Sequence, residues 1–284
     1  HRPETVAGAV GLAVKHPGAL FLAGGTDLMV NLRKRLAEPE HVISLAGAAE
    51  MRGIAKEKND ASAGETGGVI AIGALTTMTE LAGDPLIGKH LPMLAEAAGL
   101  VAGPTIRGMA TLGGNIVNAS PAGDTLPPLY AHDARVRITS SDGERELPIA
   151  EMVTGPGKTA LKPGELLTAI VIPKRPGASI FYKLGLRRSM AIAVVNFAIT
   201  AVVQDGGFSQ LAVAAGSVAP TVAPLQRFTA ALVAGASLPE AIPLVDEDIA
   251  PIADLRATAE YRYTVLKNLL EHTLAGVLAG EAHD

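Results

Sequence analysis

Two glycine pairs, each followed by small polar residues, are the features of this sequence that could support chemistry. The first lies in AGGTD, residues 23–27, and the second in TLGGN, residues 111–115. A phosphate group needs backbone N–H donors at close range, and glycine permits that approach because it has no Cβ. Asn118, Ser120 and Asp124 follow the second pair, and Asp124 could accept hydrogen bonds from ribose or ribityl hydroxyls. The residues alone are compatible with a nucleotide cradle and with two tight turns.

Two common nucleotide motifs are absent from the sequence. Neither glycine pair has the GxGxxG spacing of a Rossmann fold. The segment GPGKTA, residues 155–160, resembles a P-loop, but the first glycine of that motif would fall at Met152. We therefore do not expect an ATPase.

The side chains that usually perform catalysis or bind metals are also scarce. The chain has no cysteine, which excludes disulfides, a thiol nucleophile and a cysteine-ligated iron–sulfur cluster within it. The seven histidines are scattered along the sequence, at positions 1, 16, 41, 90, 132, 272 and 283. None of them forms an HExxH motif or a pair at metal-ligand spacing, so we expect no metal site and no catalytic side chain.

The composition narrows the class of protein further. Of the 284 residues, 48% are hydrophobic and 18% charged, which is typical of a globular chain. The net charge of −4 and the absence of tryptophan argue against nucleic-acid binding. The longest nearly apolar run, residues 191–203, is too short to span a bilayer and is interrupted by Asn196. No apolar signal-peptide core is visible near residue 1, so we expect a cytoplasmic protein without a membrane span.

The order of elements predicts an α+β fold. A helix over residues 3–16 precedes a strand–turn–helix–strand unit over residues 19–45, whose two strands should be parallel. In that unit Leu28, Leu32 and Leu36 are predicted to share one helix face.

Helices are predicted over residues 76–87, 90–102 and 126–132, a loop or hairpin over 58–68, a hairpin over 134–149 and a strand over 166–173. After the KRPG segment, residues 174–177, strands give way to helices, which predicts a small antiparallel sheet with helices on one side. The last helix should carry an apolar stripe formed by Leu266, Leu269, Leu270 and Leu274.

Several long segments occur together in one order. They are AGGTDLMVNLRK, TLGGNIVNASPAGDTLPPLYAHDARVRI, GELLTAIVIP, FYKLGLRRSMAIAVVNFAI and AEYRYTVL. Over essentially the whole chain, this set resembles the FAD-binding medium subunit of molybdenum hydroxylases, the family of carbon monoxide dehydrogenase and xanthine dehydrogenase. The resemblance implies a two-subdomain PCMH-type FAD-binding domain over residues 1–173, with subdomains of about 1–57 and 58–173. A C-terminal α+β domain would follow over residues 174–284.

The resemblance also implies which residues bind the cofactor. The first FAD loop would comprise Phe21, Leu22, Ala23, Gly24, Gly25, Thr26 and Asp27, with backbone amides on the diphosphate. The second would comprise Thr111, Gly113, Gly114, Asn115 and Asn118, with Ser120 and Asp124 on hydroxyls or phosphates. The remaining contacts would come from Val101, Ala102, the backbone of Leu166, and Lys183. Lys183 would lie near the pyrimidine end of the flavin, where its charge would favour the reduced, anionic form.

Other roles are open for some of these residues. Lys183 could be a solvated strand lysine, and Asp124 could cap the helix that follows it. Arg187 and Arg188 could serve FAD, a partner or only the surface, and Tyr182 or Ile192 could shield a flavin face or pack in the core.

The function implied is electron transfer through FAD within a heterotrimer or its dimer. A small partner subunit would carry two [2Fe–2S] clusters, and a large one the molybdenum cofactor. Electrons would pass from molybdenum through the clusters to FAD and on to an external acceptor. The alternatives are a self-sufficient FAD oxidase or reductase of the same superfamily, and a cofactor-free scaffold in which both glycine pairs are turns.

Overall fold

The computed structural model describes residues 1–57 and 68–280, so the predicted loop over residues 58–68 lies outside the described residues except for Gly68. The helices are α1 Val6–Lys15, α2 Leu28–Arg33, α3 Met78–Gly83, α4 Pro85–His90, α5 Pro92–Gly99, α6 Pro104–Arg107, α7 Leu112–Asn118, α8 Leu126–Ala131, α9 Ile149–Met152, α10 Gln226–Val233, α11 Leu238–Ala241, α12 Val245–Asp248 and α13 Ala259–Ala279. The strands are β1 Leu20–Leu22, β2 Val42–Ser44, β3 Ile54–Glu57, β4 Val69–Gly73, β5 Arg135–Ser140, β6 Gly143–Pro148, β7 Val153–Gly155, β8 Lys158–Thr159, β9 Leu166–Pro173, β10 Ala178–Gly185, β11 Ala193–Gln204, β12 Gly207–Gly216 and β13 Ala223–Pro224.

The strand–turn–helix–strand unit forms as the sequence predicts. Strands β1 and β2 are parallel, with Phe21 opposite Ile43, and the first glycine pair follows β1 directly. The helix of this unit is shorter than predicted, because Arg35 adopts a left-handed conformation with φ of 55° and α2 ends at Arg33. The prediction that Leu36 lies on a helix face is therefore wrong, since Leu36 follows the helix and is exposed.

A five-stranded antiparallel sheet forms the centre of the first half, in the order β3–β4–β9–β5–β6. The predicted hairpin is β5–β6. The predicted helix over residues 76–87 is divided into α3 and α4. The division occurs at Asp84, whose carboxylate accepts hydrogen bonds from the N–H groups of Leu86 at 2.8 Å and Ile87 at 3.0 Å. Pro85 starts α4 because a proline is tolerated in the first turn of a helix.

The C-terminal part is the predicted antiparallel sheet with helices. Its strand order is β10–β11–β12–β13, and Asp205 and Gly206, both with positive φ, turn the chain between β11 and β12. One face of the sheet, which includes Phe197, packs with α10 and α13 in a core of its own. The other face, which includes Ala198, joins the core of the first half, where α8 lies against β11 and β12. The sheet is thus covered on both sides, and the α+β architecture is confirmed.

Helix α13 secures the C-terminal core. Leu266, Leu270 and Leu274 are fully buried along one face, as the spacing predicts, while Leu269 is partly buried beside them. Arg262 is also buried, and its guanidinium donates to the carbonyl oxygens of Val194 at 2.5 Å and Ser217 at 2.9 Å and to Asp254 at 2.8 Å. Within residues 1–57 and 68–280, no helix combines the length and apolarity needed to cross a membrane.

Replacing Leu270 with alanine should destabilise the protein by about 2–5 kcal/mol, because the substitution leaves a cavity in a packed core. Urea unfolding followed by circular dichroism measures this change in the free energy of unfolding. Leu255→Ala is the matched control: Leu255 is fully exposed, so this substitution should stay within about 0.5 kcal/mol of the wild type. Equal losses for the two variants would contradict the position of α13 in the core.

Candidate cofactor-binding site

Residues of both glycine pairs line a cavity of about 720 Å³, a volume within the range of cofactor pockets. Its walls come from the segment that includes β1 and the first glycine pair, from α7 with the residues before it, and from the loop between β8 and β9. The lining residues are Ala19, Leu20, Phe21, Ala23, Gly24, Gly25, Thr26, Asp27, Leu28, Asn31, Ala110, Thr111, Gly114, Asn115, Val117, Asn118, Gly157, Leu161, Lys162, Pro163, Gly164 and Glu165. Ten of the residues that the sequence suggested for cofactor binding are among them.

The first glycine pair leaves backbone donors free at this cavity. Within the described part of the chain, no hydrogen bond uses the N–H groups of residues 24–27. Gly25 adopts a φ of 72°, which few other residues tolerate, so the loop needs glycine at that position. Consecutive N–H donors without a protein acceptor are the arrangement from which anion-binding concavities are built.

The second glycine pair does not offer the same row of N–H donors without a protein acceptor. The N–H groups of residues 112–115 all donate within the protein: Leu112 to Thr76, Gly113 to Ala74, Gly114 to the hydroxyl of Thr111, and Asn115 to the carbonyl of Thr111. The glycines therefore provide space, and the neighbouring Thr111, Asn115 and Asn118 provide side chains at the cavity.

Glycine is required in these loops for packing as well. A Cβ on Gly24 would lie 1.8 Å from the carbonyl oxygen of Met109, which precedes the second pair. A Cβ on Gly113 would lie 2.7 Å from the Cβ of Ala74. The two loops can approach each other and the sheet only because both positions lack a side chain.

The third wall, residues 161–165, was not singled out as a site from the sequence. Pro163 and Gly164 form a turn in which Gly164 has a φ of 80°, and the Pro-Gly pair was the signal that could have located this loop. Arg145 donates two hydrogen bonds of 2.8 Å to the buried carboxylate of Glu165, and these bonds hold the pKa of Glu165 below its usual range. Among residues 1–57 and 68–280, Lys162 is the only lysine or arginine that lines the cavity.

Lys183 lies away from this cavity and is not a solvated lysine. Its ammonium donates to a carboxylate oxygen of Asp124 at 2.5 Å and to the carbonyl oxygen of Leu100 at 3.1 Å. It lines a second cavity of about 670 Å³ together with Ala102, Arg107 and Arg187. The side chains of Lys183 and Asp124 are 7% and 9% exposed, so the pair is a buried one.

Asn196 completes this buried group, and it is a functional candidate that the sequence reasoning missed. It lies directly opposite Lys183 in the sheet, and its amide donates to the second oxygen of Asp124 at 3.1 Å. Burial raises the pKa of Asp124 above its usual range, against the opposing effects of the Lys183 charge and of the hydrogen bonds from Lys183 and Asn196. Asp124 does not cap α8, whose N-cap is Thr125. The polar residue within an apolar strand was the signal for Asn196.

The remaining suggested residues are distributed around these two cavities. Gly113 and Leu166 line a smaller cavity of about 100 Å³, which shares Phe21, Ala23 and Gly114 with the first. The suggested residues that line none of the three cavities are Leu22, Val101, Ser120 and Asp124. Tyr182 stacks on Phe197 with ring centroids 5.5 Å apart, and Ile192 is exposed.

Three of the histidines that are scattered along the sequence lie together in the fold. His1, His16 and His41 are brought together by the chain, with ring centroids between 4.0 and 5.3 Å apart. Sequence spacing could not show this contact, because the three residues come from three different elements.

Comparisons with known proteins agree with this architecture. The family described as "FAD binding domain in molybdopterin dehydrogenase" matches residues 1–175, and the "CO dehydrogenase flavoprotein C-terminal domain" matches residues 180–277. The chain belongs to the flavoprotein subunits of the molybdenum hydroxylases. A xanthine dehydrogenase FAD-binding subunit of Escherichia coli O157:H7 is 33% identical, over 98% of this chain and 95% of the relative.

Other members of the family agree in sequence and in fold. A carbon monoxide dehydrogenase medium chain of Afipia carboxidovorans is 33% identical over 92% of this chain and 90% of its own length. The solved structure of reconstituted CO dehydrogenase from Oligotropha carboxidovorans matches with a TM-score of 0.89 at 32% identity, covering 98% of this chain and 96% of that chain.

Replacing Lys183 with methionine should destabilise the protein by about 3–5 kcal/mol at pH 7, because it leaves the Asp124 charge buried without its cation. The double variant Lys183→Met with Asp124→Asn should recover much of this loss, since it removes the charge as well. Urea unfolding of both variants measures the difference. As a control, Lys267→Met breaks an ion pair with Asp246, a side chain 45% exposed, and should cost no more than about 1 kcal/mol.

The difference between these two Lys183 variants should depend on pH. Without Lys183 the pKa of Asp124 in the folded protein rises further above its value in the unfolded chain. Between these two pKa values the folded protein holds a proton that the unfolded chain has lost. The free energy of unfolding therefore falls as pH increases through this range. The difference in the free energy of unfolding between the single and double variants should therefore be smaller at pH 5 than at pH 7. If the double variant is no more stable than the single variant, the unpaired charge of Asp124 is not the cause of the destabilisation.

Proposed function

We propose that this chain binds FAD in the 720 Å³ cavity and acts as the electron-transfer subunit of a molybdenum hydroxylase complex. The observation that carries the proposal is the row of free N–H groups at residues 24–27 beside that cavity. A diphosphate presents several acceptor oxygens and negative charge, which such a row of donors would satisfy.

The other walls offer groups suited to the remaining parts of a dinucleotide. Asn31, Asn115 and Asn118 bring carboxamide side chains that can bond hydroxyls, although the Oδ1 atom of Asn115 already accepts from Thr125 at 2.6 Å. Lys162 provides a positive charge on the wall formed by residues 161–165. We propose that these residues, together with the others named from the family resemblance that line this cavity, hold the cofactor.

Bound FAD would transfer electrons between iron–sulfur clusters, which carry one electron at a time, and an acceptor that takes two. The residues of the chain would provide binding, orientation and electrostatics. Because the chain has no cysteine, [2Fe–2S] clusters would have to lie in a small partner subunit, and the molybdenum cofactor in a large one. Two relatives named as a medium chain and an FAD-binding subunit support such an assembly, as a heterotrimer or its dimer.

The domain boundaries are part of the same proposal. We propose an FAD-binding domain over residues 1–173 and a C-terminal domain over residues 174–284. Within the first domain, β3 pairs with β4, so a subdomain boundary near residue 57 would separate two paired strands. We therefore propose that the inner boundary lies before Ile54.

Replacing Thr26 with aspartate should raise the dissociation constant of FAD at least about tenfold, because the new carboxylate would repel the diphosphate and occupy the free donors. Titration of the apoprotein with FAD, followed by flavin fluorescence, measures the constant. Ser209→Asp is the matched control, because it adds the same charge at an exposed position on β12 and should leave the affinity unchanged. Equal affinity in all three proteins would mean that the first glycine pair does not hold the diphosphate.

The isolated chain loaded with FAD should accept electrons from dithionite but should not oxidise xanthine, nicotinate or carbon monoxide. The assembled complex, purified from its source, should show bleaching of the flavin absorbance when its own substrate is added. Turnover of a small substrate by the isolated chain would instead support a self-sufficient oxidase or reductase. A chain that takes up no FAD at all would support the scaffold alternative.

A further inference from the structure

We propose that His1, His16 and His41 form a binding site for a divalent transition-metal ion of the Zn²⁺ class, separate from the cofactor cavity. One ring nitrogen from each side chain belongs to a set in which no two atoms are more than 4.8 Å apart. None of the three residues lines the 720 Å³ cavity, so the inference does not depend on flavin binding.

The spacing of the ring nitrogens fits metal coordination. The Nε2 atom of His1 lies 3.4 Å from the Nδ1 atom of His41. Two nitrogens bound to tetrahedral zinc at its usual Zn–N distance are about 3.3 Å apart. The His1 and His41 rings therefore already have the required separation, and a rotation of His16 about its side-chain bonds would bring in the third nitrogen.

The backbone at each histidine is fixed, so little chain entropy would be lost on binding. The carbonyl of His1 accepts from the N–H of Ser44 at 2.9 Å, and the carbonyl of His41 accepts from Leu20 at 3.1 Å. His16 follows the last turn of α1, and its N–H donates to Leu12 at 2.9 Å. Only side-chain rotamers need to change, which is the kind of preorganisation that favours tight binding.

The chemistry of the donors selects the class of ion. A metal binds imidazole in its neutral form, through the lone pair of one ring nitrogen. Three imidazoles without a carboxylate suit zinc, copper or nickel rather than magnesium or calcium. Three protein ligands leave a fourth position for water, as in open zinc sites.

The position of the cluster shows which parts of the chain a bound ion would connect. The three ligands come from the segment before α1, the end of α1, and the residue just before β2. An ion bound there would join these segments to one another and restrain the strand that leads to the first glycine pair. It would stabilise the folded chain by mass action, because the unfolded chain does not hold the three rings together.

Titration with Zn²⁺ tests the proposal, using a full chain that carries no affinity tag. We expect one ion per chain by elemental analysis after dialysis, and a melting temperature that rises when Zn²⁺ is added. His16→Gln should weaken binding at least tenfold and remove that rise. His272→Gln is the matched control, because His272 is exposed on α13 outside the cluster, and it should bind as the wild type does.

Co²⁺ provides a second readout that does not rely on a variant. A Co²⁺ ion held by three imidazoles and water should give the visible absorption of a four-coordinate site, and Zn²⁺ should displace it. His41→Gln serves if His16→Gln does not fold. No uptake of either metal by the folded wild-type chain would overturn the proposal, and so would full uptake by folded variants that lack His16 or His41.

Discussion

The buried ion pair between Asp124 and Lys183 is the interaction on which the arrangement of the molecule depends. Asp124 belongs to the segment after the second glycine pair, whereas Lys183 belongs to the C-terminal sheet, and Asn196 on the next strand donates to the same carboxylate. A charge at this depth is tolerable only when its partner is in place. The pair therefore fixes one position of the sheet against the first half of the chain, more specifically than the apolar contacts around Ala198 could.

The two glycine pairs have different structural roles, although they look alike in the sequence. The pair at residues 24–25 leaves N–H groups unused at a cavity, while the pair at residues 113–114 has its N–H groups bonded within the protein. Glycine in the second case serves close packing against Ala74 and beside the first loop. Glycine content alone cannot separate these cases, because the difference lies in which acceptors the rest of the fold brings near.

Local patterns were enough to predict most elements of the fold. The parallel β1–β2 unit, the β5–β6 hairpin and the stripe of α13 follow from alternation, turn residues and helical spacing. The order of the elements and the family resemblance both indicated the α+β architecture. Local patterns failed where one backbone angle decided the outcome, as at Arg35, whose left-handed conformation leaves Leu36 outside its helix.

The site was less predictable because its parts are distant in sequence. The wall at residues 161–165, the bond from Asn196 to Asp124 and the meeting of three histidines all result from tertiary contacts. The free backbone donors at residues 24–27 also depend on tertiary structure, because an N–H group is free only when no acceptor in the fold reaches it. Four such donors together beside a cavity provide hydrogen bonds for an anionic occupant, which a turn with internally bonded N–H groups would not.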